Sequence, residues 1–303
     1  MTTNENFTLN RRHALQLAAG STIAAATSAV HAQATDAPGA DYKVKNGRIR
    51  HSVMAWCFKP MPALELAKHA KAIGMPAIEG ISPKDIPAVQ EIGLDISLVS
   101  SHGFKKGMVH TENHDHCIEQ LRKSIDVAAE HGYKNVITFT GLVEKPIGHE
   151  QGTKNCVAGW KKIVGYAEKK NVTLVLEHLN TRDDSHPMKG HPGYFGDDVD
   201  HCVEMIKQVG SANFKLLFDV YHVQIMNGDV IRRIKAYKDY IGHYHTAGNP
   251  GRAEIDDTQE INYPPIMRTI LETGYKGYVT QEFIPTWKDK VAALRHAISV
   301  CDV

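Results

Sequence analysis

From residue 51 to the C-terminus the chain repeats one pattern eight times: a short run rich in β-branched and apolar residues, then a stretch with apolar residues at helical spacing. The β runs fall at 51–56, 77–80, 94–100, 134–140, 172–178, 214–220, 241–246 and 277–283. Between them, Leu66, Ala67, Ala70 and Ile73 share one helix face, and Ile118, Leu121, Ile125, Ala128 and Ala129 share another. Gly74, Gly132, Gly210 and Gly274 each stand shortly before the next β run, where a left-handed residue would stop a helix. Eight strand–helix units in about 250 residues predict an α/β protein, a single (β/α)8 TIM barrel. An open doubly wound sheet would be favoured by G-x-G-x-x-G after the first strand, and the sequence has none. No Pro/Gly/Ser linker divides the chain after Tyr42. Residues 51–303 therefore read as one domain, with 35–50 as a lead-in.

The segment before the lead-in has a different character. Arg11-Arg12 precedes a mildly apolar run through Ile23-Ala24-Ala25-Ala26, too short and too rich in Ala, Ser and Thr to span a bilayer, and the run ends in Ala32-Gln33-Ala34. This pattern predicts a cleavable twin-arginine export signal over residues 1–34 and a periplasmic or otherwise exported mature protein. No later stretch is apolar for long enough to suggest a second span, so no membrane attachment of the mature form is expected.

Charge narrows the partners. Lys+Arg 35 stand against Asp+Glu 34, and removal of residues 1–34 takes away Glu5, Arg11 and Arg12, leaving equal numbers of each sign. A domain that holds nucleic acid carries a basic face, so nucleic acid is not an expected partner. Five cysteines at wide spacing, without C-x-x-C, read as small buried side chains rather than a disulfide framework or a metal finger. The 18 histidines supply the chemically distinctive residue type, suited to metal ligation and proton transfer.

In a TIM barrel the site lies at the carboxyl ends of the strands. Four apolar runs end in polar residues there: Val172–Leu176 runs into Glu177, Lys215–Phe218 into Asp219, Ile241–Tyr244 into His245, and Gly277–Gln281 into Glu282. Each taken singly could be a helix cap or a surface ion pair. Together, two Glu, one Asp and one His form a mixed oxygen and nitrogen set suited to one divalent metal ion, Mn, Mg, Co or Zn.

The segments Phe218-Asp219-Val220-Tyr221-His222, Gly242-His243-Tyr244-His245-Thr246-Ala247-Gly248 with Arg252, Glu260-Ile261-Asn262-Tyr263, and Gly274 through Phe283 resemble the hydroxypyruvate isomerase-like family. More broadly they resemble the xylose isomerase-like TIM-barrel superfamily, which includes ketose 3-epimerases. The resemblance is strong over 172–283 and rests on barrel spacing over 51–171. It implies that Glu177, Asp219, His245 and Glu282 bind the metal and that Glu177 and Glu282 form an acid/base pair. The implied reaction moves a proton between adjacent carbons of a small hydroxy-carbonyl compound or sugar through an enediolate. Metal chelation of the two oxygens and a carboxylate on either face suit that step. The alternative is a keto-sugar 3-epimerase or lyase using the same metal and glutamates. His222 and Arg252 are expected to hold substrate oxygens. Where related isomerases commonly carry Gln in a G-H-x-Q pattern, this chain has His245, as the epimerases do.

Glu79 at the end of the second β run and His102 beyond the third are further substrate-contact candidates. Trp56 and Phe58 suggest an apolar wall or core packing. The tract His110, His114 and His116 reads as a solvated loop. The sequence admits a homo-oligomer without specifying one.

Overall fold

The computed structural model describes Gly39 and residues 41–303. The predicted export signal at 1–34 lies outside the described residues. Among them, no helix is long and apolar enough to cross a membrane.

The described residues hold eight parallel strands, in chain order β1 (Arg50–Val53), β2 (Ala77–Ile78), β3 (Asp95–Ile96), β4 (Asn135–Thr138), β5 (Thr173–Glu177), β6 (Phe214–Asp219), β7 (Ile241–Thr246) and β8 (Tyr278–Gln281). Six of them pair in the order β1-β8-β7-β6-β5-β4, and β2 pairs with β3. Two single parallel bridges close the ring, Met54 to Glu79 between β1 and β2, and Val99 to Val136 between β3 and β4. The backbone bonds at these seams are ordinary, for example Glu79 N–H to the Val53 carbonyl at 2.9 Å and Val99 N–H to the Asn135 carbonyl at 2.9 Å.

β2 and β3 are shorter than the runs expected at 77–80 and 94–100. The apolar run does not end there, but its later residues have another use. Gly80 turns at positive φ after Glu79, and Leu98, Ser100 and Ser101 leave the ladder to line a cavity at the barrel mouth. Burial cannot distinguish a strand residue from a mouth residue, so periodicity overextends both runs.

The helices between strands bury the faces that their spacing predicts: Leu66, Ala67, Ala70 and Ile73 in Ala63–Ile73, and Leu121, Ile125 and Ala128 in His114–His131. Gly74 and Gly132 end these helices with φ of 94° and 76°, a region costly for residues with a Cβ. All five cysteines are free and buried. The histidine tract is not a solvated loop throughout: His114 opens its helix buried, 2.9 Å from the Met108 carbonyl, and His110 is buried beside it. At the chain's C-terminus the Asp302 carboxylate accepts from the Tyr42 hydroxyl at 2.8 Å and from the backbone N–H of Lys45 at 2.7 Å and Asn46 at 3.0 Å, tying the lead-in to the last helix.

Candidate metal and acid/base site

The carboxyl ends of β5 to β8 bring Glu177, Asp219, His245 and Glu282 together, all buried, with one donor atom from each lying within 4.8 Å of the others. Adjacent parallel strands make this possible: Asp219 is the register partner of His245, so strand pairing alone sets two of the four side by side.

Local structure aims each group. Asp219 caps the helix Val220–Met226, its Oδ1 accepting from the N–H of Tyr221 at 2.8 Å and of His222 at 3.4 Å. That leaves Oδ2 toward the cluster, 3.5 Å from Arg252 Nη2 and 3.6 Å from His222 Nε2. Glu282 Oε2 is shared by His245 Nδ1 at 2.6 Å and Arg252 Nη2 at 2.5 Å. Glu177 Oε1 lies 3.4 Å from His245 Nδ1 and is buried without a hydrogen-bond partner.

Three buried carboxylates at one point resist ionisation. Burial first, and then the charge of Glu282, push Glu177 up to about 7. Burial likewise lifts Asp219 to about 6, with Arg252 opposing it. Glu282 goes the other way: burial disfavours its charge, but Arg252 and His245 outweigh burial and hold it below the ordinary range. His245, although buried, is held well above the usual histidine range by Glu282 and Glu79. The chemistry of the set fits a divalent cation, because four buried donors of the right types converge and Glu177 Oε1 has no other partner.

Arg252 is placed differently from a freely available substrate hook. It is buried, with the Trp56 ring 5.4 Å and the Tyr221 ring 5.7 Å from its guanidinium. Its Nε donates to the Glu282 carbonyl and Nη1 to the Met188 carbonyl at 2.6 Å, while Nη2 serves the carboxylates. Of its five N–H groups, one on Nη1 remains for another acceptor. His222 is also buried. Its Nδ1 accepts from the Asn180 backbone N–H at 3.1 Å, which places the proton of the neutral ring on Nε2, an atom without a hydrogen-bond partner.

A cavity of about 170 Å³ is lined by Trp56, Phe104, Phe139, Leu179 and His191 together with Glu177, Arg252 and Glu282. Phe58 instead packs in the core, edge-on to Phe283. His102 does not line the cavity: Nδ1 lies 2.9 Å from the Lys106 carbonyl and Nε2 lies 3.1 Å from Thr138 Oγ1, so the ring braces its own loop. Glu79 is not on the cavity wall either; it lies fully buried behind His245.

Sequence reasoning misses His243 and His191. His243 is detectable, since it stands two residues before His245 and strand alternation puts both on one face. His191 lies in a long loop with no periodic signal.

Residues 67–301 match the family model described as xylose isomerase-like TIM barrel. The chain is 40% identical over 165 residues to a 2-oxo-tetronate isomerase of Cupriavidus necator, a match covering 54% of this chain and 60% of that protein. It is 28% identical over 171 residues to the hydroxypyruvate isomerase of Escherichia coli, covering 55% and 63% respectively. Both matches thus span less than two thirds of the relative. Among solved structures, the E. coli 3-keto-D-glucoside 4-epimerase superposes with a TM-score of 0.69 at 18% identity, covering 83% of this chain and 98% of that one. A family 2 AP endonuclease of Brucella melitensis superposes at 0.68 with 22% identity, covering 78% and 94%.

Proposed function

The chain belongs to the xylose isomerase-like TIM-barrel family, and from that premise we propose that it is a divalent-metal-dependent isomerase of the hydroxypyruvate isomerase-like kind. Its substrate in this reading is a small hydroxy-carbonyl compound. The observation that carries it is the buried convergence of Glu177 and Glu282 with Asp219 and His245 beside the cavity. The named isomerase relatives support the reaction class.

Glu177, Asp219, His245 and Glu282 would hold the metal, which when bound offers electrophilic stabilisation of negative charge on substrate oxygens. The protein's own part is proton movement. One glutamate removes the proton from the carbon bearing the hydroxyl as the carbonyl π electrons shift to oxygen, giving an enediolate. A proton is then returned to the former carbonyl carbon as a C=O forms at the former hydroxyl carbon, the hydroxyl proton passing to the former carbonyl oxygen. In the metal-free protein the two glutamates are in unequal states: Arg252 and His245 hold Glu282 below the ordinary range, whereas burial lifts Glu177 to about 7. The remaining Arg252 N–H, on the cavity wall, is a donor available to substrate oxygens, whereas His222 is fully buried off that wall with Nε2 3.6 Å from Asp219 Oδ2. The aromatic part of the cavity wall suits the C–H face of a small substrate.

The test is turnover in deuterium oxide with hydroxypyruvate, 2-oxo-tetronate and a panel of ketoses. Deuterium entering as the carbonyl migrates to the adjacent carbon, between C2 and C3 of hydroxypyruvate or 2-oxo-tetronate and between C1 and C2 of a ketose, supports the isomerase, and exchange beside a carbonyl that stays in place shifts the assignment to an epimerase. Absence of exchange with any of them, in metal-loaded protein, overturns the reading. Glu177→Gln is expected to slow exchange by roughly 10²- to 10⁴-fold. For the Arg11-Arg12 segment we propose export, with cleavage after Ala34. N-terminal sequencing of the exported protein should then begin at or near Thr35, and an N-terminus that still carries Arg11 and Arg12 would refute cleavage.

A further inference from the structure

Behind the metal-ligand set lies a second group of buried polar side chains that the reaction does not use. Glu79, at the β1–β2 seam, is fully buried. Its Oε2 receives three groups: Ser97 Oγ at 2.8 Å, His243 Nε2 at 3.1 Å and Thr280 Oγ1 at 3.2 Å. Ser97 is in turn 2.7 Å from Ser52 Oγ on β1. Donors from β7, β8 and the chain after β3 therefore converge on one oxygen of this carboxylate and fix its plane.

The other oxygen is unused by this group. Glu79 Oε1 lies 2.7 Å from His245 Nε2 as a buried ion-pair contact, and neither atom has a hydrogen-bond partner. His245 thus has one ring nitrogen on each side: Nδ1 among Glu177 and Glu282, Nε2 against Glu79. An imidazole that ligates a metal through one nitrogen carries its proton on the other, and the partner of that proton sets ring orientation and basicity.

We propose that Glu79 is a positioning residue that receives the Nε2 proton of His245 and so commits Nδ1 to the metal. The inference rests on the metal-dependent reading above. It explains why a carboxylate is buried where a serine or threonine could have filled the space: a full negative charge makes the imidazole a stronger donor to a cation. Glu79, His243 and His245 could also be read as a second metal set. The three donors already on Oε2 argue against this, because they satisfy that oxygen without a cation.

The experiment titrates Mn²⁺ alone into purified, metal-stripped protein by calorimetry, for the wild type and for Glu79→Gln, beside the melting temperature of each metal-free protein. Glu79→Gln is expected to bind one Mn²⁺ roughly 10- to 100-fold more weakly while melting as a folded protein. Equal affinity in a folded variant overturns the positioning role and leaves the metal-dependent reading intact. A wild type that binds no Mn²⁺ overturns both, and a second bound ion lost in Glu79→Gln replaces positioning by ligation. A measurement on the wild type guards against a variant that fails to fold. In Zn²⁺-loaded protein labelled with ¹⁵N-histidine, His245 is expected to show a protonated Nε2 and a metal-bound Nδ1; the reverse assignment overturns the proposal.

Discussion

At the scale of single residues, the site is built from side chains whose charges are not at ease without a cation. Glu177 lifted to about 7 and Asp219 to about 6 hold protons where free carboxylates would have lost them, and His245 holds its own unusually well. A metal must displace these protons, so its affinity should fall as pH drops through that window. The expected outcome is a stabilisation by Mn²⁺, read as the rise in melting temperature at fixed metal concentration, that is large at about pH 8 and shrinks toward about pH 5.5. The direction follows from the signs. Raised carboxylate values and a raised histidine all mean that the metal-free site binds protons which the metal-loaded site does not. A shift independent of pH between these limits would show that the metal binds elsewhere.

At the scale of elements, most of the barrel's chemistry hangs on how strands hand over to helices. Asp198 illustrates a handover outside the site: its Oδ1 accepts from the His201 N–H at 2.9 Å at the start of Val199–Val209, and Oδ2 accepts from Asn227 Nδ2 at 2.9 Å. Asp198→Ala should cost about 1 kcal/mol in a urea titration. Mn²⁺ affinity should not change, because none of the four proposed ligands contacts Asp198. A loss of metal binding would mean that this helix start positions the site. The contrast with Asp219 shows what the sequence could convey. Both are caps, and only the ending of an apolar run marks Asp219 as facing the barrel mouth. The eight strand–helix units and the four strand-end candidates are legible because each depends on residues near one another in the chain. The network behind His245 is not, because Glu79 meets His243 across 164 positions, a contact created by ring closure. After β2 and β3 the pairing thins to the single bridges at Glu79 and Val99, while Gly80, Leu98 and Ser100 turn to the cavity, which is why periodicity overextends both runs.

At the scale of the whole molecule, opposite charges are nearly equal in number, Lys+Arg 35 against Asp+Glu 34, so acid sensitivity should depend more on buried groups than on net charge. Histidines carry much of it. His51 on β1 is buried with neither ring nitrogen hydrogen-bonded, and burial lowers it from 6.5 to about 4 although Asp302 pulls the other way. Between those two values the unfolded chain takes up a proton that the folded chain refuses, so folding stability falls as pH drops from 6.5 toward 4. The position matters because His51 Nε2 lies 3.9 Å from Asp302, the carboxylate that ties Tyr42, Lys45 and Asn46 to the last helix. Protonating His51 therefore charges a buried site at the junction of both ends of the described chain. His51→Gln removes the titration and keeps a polar side chain. Measured by urea unfolding across this range in metal-free protein, its stability should fall less steeply than that of the wild type, by up to about 3 kcal/mol over the window. The comparison cancels the opposing contributions of Glu177, Asp219 and His245, which both proteins share. Parallel pH profiles for the two proteins would mean that His51 takes up its proton in the fold as readily as in the unfolded chain, Asp302 offsetting the burial, and that the acid limb has another origin.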